Sequence, residues 1–225
     1  ERPVWTMPNR RGLFLLLAAM AATPFAFTAW AADEALPEPF EDLSRLVVIG
    51  GSLTEIVYAL GEEEHLVARD STSTVPSEAA KLPDIGYMRQ LSPEGVLSVA
   101  PTAILALEGS GPPETMDVLS RASVPLTVVP ETYDRAGILR KIRFVGAALG
   151  QDAKAEELAA EVAQDIDAAR SLIDGVAARK RVLFILSLQG GRILAPGTGT
   201  AADGIIRMAG GVNAMDAFTG YKQVS

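Results

Sequence analysis

Two apolar rhythms alternate along this chain. Short unbroken apolar runs are separated by stretches in which apolar positions fall every three or four residues, the pattern of strands interleaved with helices. Arg45-Leu-Val-Val-Ile-Gly50 reads as a buried strand that closes on Gly50-Gly51. Residues 52–61 then read as a helix, with Ser52 as N-cap, Glu55 in capping-box relation to it and Gly61 as the stop. Residues 65–69 form the next strand, and residues 70–78 a polar loop. The string Ser92-Pro-Glu-Gly-Val-Leu-Ser-Val-Ala100 opens a second helix, with Ser at the cap and Pro at the first helical position. Residues 102–107 are an apolar strand, 108–113 a Gly/Pro loop, 114–122 a helix and 125–129 a further strand. Strands this short and apolar, alternating with helices, predict a parallel sheet covered on both faces.

The pattern changes at Asp134. From there to Asp174 the spacing predicts two helical stretches and no strand. Ile138, Ile142, Val145 and Leu149 keep helical spacing until Gly150 breaks the run. Leu158, Val162, Ile166, Ala169 and Ile173 mark one face of a long helix, with acids and Arg170 on the other. After Gly175, Arg181-Val-Leu-Phe-Ile-Leu-Ser187 predicts a new apolar strand, residues 189–200 a Gly-rich loop around Arg192, and 201–209 a helix. Residues 181–225 are too few to bury a core like that of the first region. The expectation is an α/β protein of two lobes, each a parallel sheet flanked by helices, joined by a long rigid helix, with the second lobe truncated here. Residues 33–150 form the first, ligand-binding lobe in this reading, 151–178 the connecting helix and 179–225 the start of the second lobe.

The N-terminus adds an address. Arg10 and Arg11 precede an unbroken apolar stretch, residues 13–22, and Ala29-x-Ala31 supplies small residues for cleavage after Ala31. That stretch is shorter than the about 20 residues of a membrane span. Residues 1–32 therefore read as a cleavable export signal with an upstream extension before Met7, the paired arginines leaving both the general secretory and the twin-arginine route open. The whole chain carries a formal net charge of −8, and the signal holds three arginines against one acid, so the exported part is more acidic still. A basic footprint for nucleic acid is missing. Cysteine is absent, which excludes disulfides, thiolate metal sites, thiol nucleophiles and a lipid-modified cysteine anchor. An acidic, cysteine-free exported protein suits the periplasm.

The order of lobe, long helix and second lobe resembles the helix-linked class of periplasmic binding proteins serving haem, cobalamin and iron-chelate importers. Val48-Ile-Gly-Gly-Ser-Leu-Thr-Glu-Ile-Val-Tyr-Ala-Leu-Gly61 resembles that class's opening strand and helix. Asp70-Ser-Thr-Ser, Leu82-Pro-Asp-Ile-Gly-Tyr-Met-Arg-Gln-Leu-Ser92 and Ala106-Leu-Glu-Gly-Ser-Gly-Pro-Pro113 resemble its haem-binding branch, and Gly86-Tyr87-Met88-Arg89 is the most specific segment. The resemblance implies a haem carrier without catalysis, expected to be a monomer, that delivers its ligand to an inner-membrane ABC permease.

It also implies roles for single residues. Tyr87, in a loop before a capped helix, is implied as the axial ligand of haem iron, a role open to tyrosine; the alternative is a ring packed on the surface. Free tyrosine titrates near pH 10, so a phenolate ligand needs the ferric ion or a nearby cation. Arg89 can supply that cation or pair with a propionate. Arg192, beside Gly190-Gly191, is the candidate on the second lobe for a propionate or for the ligating tyrosine, a solvated arginine being the alternative. Glu94, in the first turn of a helix, favours the helix dipole, and by resemblance docks on the permease. The sole histidine, His65, reads as structural, which leaves the iron five-coordinate or completed by water. Gly197-Thr-Gly-Thr-Ala-Ala202 matches a loose dinucleotide fingerprint, but Pro196 precedes it; Asp203 and Asp216 nearby read as solvated loop acids, metal coordination being the alternative. The rival readings are a cobalamin or ferric-siderophore carrier and an exported α/β hydrolase using Ser52. The last lacks a G-x-S-x-G elbow and has one histidine for a triad.

Overall fold

The computed structural model describes residues 35–176 and 178–224; the expected signal segment, residues 1–32, lies outside them. Four strands, β1 (Leu46–Ile49), β2 (Leu66–Arg69), β3 (Ala103–Leu107) and β4 (Leu126–Val129), form a parallel sheet in the order β2-β1-β3-β4. Leu46 pairs with Leu66 on one side and Ala103 on the other, and Ile104 pairs with Leu126. Side chains alternate across a strand, so Leu46 and Val48 face one way and Val47 and Ile49 the other. All four are fully buried, which is why the run is continuously apolar.

Five helices cover this sheet: α1 (Gly51–Ala59), α2 (Pro93–Leu97), α3 (Pro113–Ser120), α4 (Arg135–Ala148) and α5 (Asp152–Ser171). Leu53 and Val57 of α1, Ile142 and Val145 of α4 and Ala155 of α5 pack with Leu46, Val48 and Leu105 on one face. Val96 of α2 and Leu119 of α3 pack with Val47, Ile49 and Ile104 on the other. The α/β architecture is the expected one. Ser92 caps α2, its Oγ accepting from the Gly95 amide at 3.0 Å.

Helix α1 starts differently from expectation. Its cap is Gly50, at φ 120°, and Ser52 lies inside the helix. The orphan amides are satisfied from another part of the chain: Gly50 N donates to Asp70 Oδ1 at 2.9 Å and Gly51 N to Thr72 Oγ1 at 3.1 Å. A Cβ on Gly50 would stand 2.8 Å from that of Leu107, so the position takes glycine for space as well as for φ.

Helices α4 and α5 form an antiparallel pair around a turn at Gly150. The expected Leu158–Val162–Ile166 face is displaced: the fully buried positions of α5 are Ala155 and Ala159, with Leu158 and Val162 only partly covered. The cause is close approach. A Cβ on Gly146 of α4 would collide with Ala155 Cβ, so the crossing accommodates small side chains alone. Lys154 Nζ fastens the start of α5 to the end of α1, donating to Leu60 O at 3.0 Å and Glu62 Oε1 at 3.1 Å.

The second lobe contains β5 (Arg181–Val182), β6 (Ser187–Gln189), β7 (Arg192–Pro196), α6 (Ala201–Met208), β8 (Val212–Asn213) and β9 (Tyr221–Val224). β5 pairs in parallel with β8, and β6-β7-β9 is an antiparallel sheet. The single strand expected over residues 181–187 is therefore two pieces. Val182 ends its pairing where β8 ends, and residues 183–186 remain 41–53% exposed. An apolar run specifies a strand only where a partner lies alongside. The loop expected over residues 189–200 is largely a hairpin, because Gly190 and Gly191 adopt φ 57° and 76°, the positive pair that a two-residue turn requires. No helix among the described residues is long and apolar enough to cross a membrane.

The α4–α5 crossing has no room for a larger side chain at Gly146. Gly146→Val is expected to lower the unfolding free energy by about 2 kcal/mol through overpacking, read as a lower urea midpoint by circular dichroism. An unchanged midpoint would show that the helices separate without cost.

Candidate functional site

In a parallel sheet, ligands bind outside the carboxyl ends of the strands, where the strand order reverses. Here that point lies between β1 and β3, and the loops after all four strands converge on it: Gly50 after β1, Asp70 after β2, Glu108 after β3 and residues 130–134 after β4.

Asp70 organises the first two loops. It is fully buried, and four donors surround its carboxylate. Oδ1 accepts from Gly50 N at 2.9 Å and Ser73 Oγ at 2.8 Å; Oδ2 accepts from Thr72 N at 2.9 Å and Thr72 Oγ1 at 2.7 Å. Thr54 Oγ1 of α1 donates to Ser73 Oγ at 2.7 Å and closes the ring. A carboxylate hydrogen-bonded by several donors is held without an ion partner.

The same loop fixes Tyr87. Residues 83–86 return beside β2, with Arg69 N donating to Pro83 O and Ile85 N to Arg69 O, both at 3.0 Å. Arg69 Nη1 holds Asp84 at 2.8 Å, and Asp84 Oδ1 accepts from Gly86 N at 2.8 Å. Ser71 N donates to Gly86 O at 2.9 Å, Gly111 N to Met88 O at 2.8 Å and Gln90 N to Tyr87 O at 2.7 Å. Backbone bonds thus clamp both sides of Tyr87, while its side chain is 43% exposed. The Tyr87 backbone is fixed while its phenol stays open to solvent.

Arg89 is exposed and lies near Tyr133, whose ionisation it favours. Tyr133 was not singled out from the sequence. It sits in the β4–α4 loop just before Asp134, the cap of α4, whose Oδ1 accepts from Gly137 N at 2.7 Å. Burial, first, and the neighbouring Glu131 raise the Tyr133 phenol above its ordinary pKa; Arg89 opposes them, and Tyr221 and Glu108 add to the rise. The signal that finds Tyr133 is its place at the carboxyl end of a parallel strand. Behind it, Glu131 N donates to Glu108 Oε2 at 2.8 Å. Lys141 Nζ lies 2.7 Å from the Glu131 carboxylate, both side chains being nearly buried, and donates to Ser52 Oγ at 3.2 Å. Ser52, the rival nucleophile, is thus engaged by a lysine of the core.

The second lobe closes on this loop. A cavity of about 510 Å³ is bounded by residues 131–134 on one side and by Thr198, Gly199, Thr200, Asp203, Gly204 and Arg207 on the other. The glycine-rich string 197–202 leads into α6, with Thr200 as cap. Its polar groups are already used within the lobe: the Asp203 carboxylate accepts from Gly199 N at 3.3 Å and from Asn213 Nδ2 at 3.1 Å, and pairs with Arg207 at 3.1 Å. Arg192 stands at the other end of β7 from this cavity, directly after the Gly190-Gly191 turn, exposed and with no ion pair among the described residues. The structure brings Arg89, two residues after Tyr87 in the chain, close to Tyr133 but does not join Arg192 to them. Glu94 is exposed in the first turn of α2. His65 lies at the amino end of β2, its Nε2 3.2 Å from Glu62.

Fold and cleft define a solute-binding protein, and the family model agrees: the chain belongs to the periplasmic binding protein family, matched over residues 46–225. This is a family of binding proteins, not of enzymes. Among solved structures the chain is similar to the periplasmic haem-binding protein RhuT from Roseiflexus sp. RS-1. The two share 39% identity with a TM-score of 0.76, over 81% of this chain and 70% of that one. A periplasmic haem-binding protein from Pseudomonas aeruginosa matches at 32% identity and TM-score 0.73, over 81% and 66% of the two chains. A vitamin B12-binding protein of Yersinia pestis is 31% identical over 95 residues, 42% of this chain and 34% of that protein. The chain spans about a third of the length of the curated relatives it matches.

The Asp70 cradle is expected to dominate the stability of the site. Asp70→Ala leaves the buried amide of Gly50 and the part-buried amide of Thr72 without their acceptor and should cost about 3 kcal/mol, measured by urea unfolding. A loss below about 1 kcal/mol would mean that water replaces the carboxylate and that the loop does not depend on it.

Proposed function

We propose that this protein binds haem in the periplasm and hands it to an ABC permease of the inner membrane. The observation that carries the reading is Tyr87: an exposed phenol on a loop clamped on both sides by backbone bonds, two residues from a cation and next to the carboxyl end of β2. A phenolate oxygen is a hard anionic donor suited to ferric iron, and the clamp means that little ordering entropy is lost when the iron binds. Arg89 stabilises the phenolate or pairs with a propionate. Arg192, at the hairpin tip of the second lobe, is proposed as a further propionate contact, reached as the lobes close on the ligand. The 39% identity to a haem-binding protein over most of this chain supports haem over other ligands of the same fold. The similarity to a vitamin B12-binding protein, carried by 95 residues, makes cobalamin the second reading.

The test is a titration with ferric haem followed by visible absorption, beside Tyr87→Ala and beside cyanocobalamin. A saturable spectrum of tyrosinate type is expected. It should weaken at least roughly a hundredfold in the variant, since even outer-shell partners of a metal ligand are worth ten- to hundredfold. Haem binding that survives the substitution removes Tyr87 as ligand; binding of cobalamin alone overturns the haem reading.

Glu94 is proposed to dock on the permease. It is an exposed carboxylate in the first turn of a helix whose other end is buried against the sheet, a rigid mount for a charge. Glu94→Gln is expected to leave haem affinity unchanged and to weaken binding to permease vesicles by about tenfold or more. Equal vesicle binding by both forms would sink the docking role.

A further inference from the structure

Tyr133 and Tyr221 approach each other from opposite lobes, and neither is explained by the core. Tyr133 is 37% and Tyr221 40% exposed. The Tyr133 backbone is held tightly: a Cβ on Gly204 of α6 would collide with the Tyr133 carbonyl and Cβ, so the second lobe rests directly on this residue. Glu131, two residues earlier, is pinned by Lys141 and by Glu108. Tyr221 is fixed with equal care. It pairs with Pro196 in the β7–β9 ladder, and beside it Gly220 accepts from Gly197 N at 2.7 Å and donates to Thr198 O at 3.0 Å. Thr198 lines the same cavity as Tyr133. Tyr133 therefore lines the cavity from the first lobe, while Tyr221 stands close to it on the β9 strand that pairs with the β7 end leading to Thr198, and Arg89 lies near Tyr133 from the Tyr87 loop.

We infer that Tyr133 and Tyr221 form a cross-cleft aromatic pair that grips the face of a planar ligand between the lobes and selects for flatness rather than for iron. The inference rests on the tetrapyrrole reading above and goes beyond it, because it assigns the grip to rings that need no metal. Tyr87 recognises the iron; the pair recognises the macrocycle. Aromatic stacking and ring burial are indifferent to the metal at the centre, so the two contributions separate cleanly when the metal is removed.

The experiment compares ferric haem with iron-free protoporphyrin IX, binding each to the wild-type protein, Tyr133→Ala, Tyr133→Phe, Tyr221→Ala and Tyr87→Ala. Tyr133→Ala and Tyr221→Ala are expected to weaken both ligands alike, by roughly two- to tenfold. Tyr133→Phe keeps the ring and should bind both as the wild type does, whereas Tyr87→Ala should weaken ferric haem and spare the iron-free porphyrin. Unchanged binding of both ligands by the two alanine variants overturns the aromatic grip while leaving the haem reading intact. A loss in Tyr133→Phe as large as in Tyr133→Ala overturns it as well, since the hydroxyl and not the ring would then be the contact. Wild-type protein that binds neither porphyrin overturns the tetrapyrrole reading and the grip together. Because Tyr133 carries the contact with Gly204, thermal unfolding is measured for each variant; if Tyr133→Ala unfolds early, Tyr221→Ala, on a separate sheet, decides the outcome.

Discussion

The rim that leads to Tyr87 is organised around one buried carboxylate. Asp70 is fully buried and makes no ion pair among the described residues; its carboxylate accepts from two amides and two hydroxyls. Those donors come from two places, the first turn of α1 and the loop after β2. Meeting their needs with one side chain fuses the carboxyl ends of β1 and β2 into a single rigid rim. The residues on either side of Asp70 extend the rim outward: Arg69 holds Asp84, and Ser71 holds the carbonyl of Gly86, the residue before Tyr87. A loop of this kind, on the surface but without freedom, is what a binding protein needs where a single ligand atom must be met at a defined position.

The far side of the rim uses a different device. Lys141 and Glu131 are an almost buried ion pair, and burying both charges costs several kcal/mol that their attraction only about offsets. The pair is thus weak evidence for stability but strong evidence for position. With Glu108 receiving the Glu131 amide, it fixes the short connection from β4 to α4 that carries Tyr133. The two sides of the cleft are consequently built on independent supports, one a desolvated carboxylate and one a desolvated ion pair, both anchored in helices packed on the same sheet. The lobes meet where glycine removes the last obstacle, at Gly204 against the Tyr133 backbone.

Much of the scaffold was legible in the chain because it follows from local periodicity. The four apolar runs became the four parallel strands, since residues buried on both faces leave no room for polar alternation. The Ser92-Pro93 start of α2 is a purely local signal and stands where expected. Reading failed wherever the deciding partner lay far along the chain. Ser52 and Glu55 form a plausible capping box, yet Asp70 and Thr72 reached the α1 amides first and the cap falls two residues earlier, at Gly50. The long helix shows a Leu-Val-Ile stripe, yet close approach of α4 at Gly146 turned its alanines inward. The apolar run at residues 183–186 has strand character, but β8 pairs with no more than Arg181 and Val182.

The chain alone determined the class of architecture and the strands with their burial. These rest on patterns within a few residues or on composition, which survive without knowledge of the fold. Only the tertiary structure decided that Tyr87 is clamped, that Arg89 neighbours Tyr133 while Arg192 stands at a hairpin tip, and that Tyr221 joins them from the other lobe. Side chains at a parallel sheet's carboxyl edge are separated by whole strand-helix units in sequence and meet through the crossover connections. No spacing rule encodes that meeting; the packing of helices on the sheet creates it.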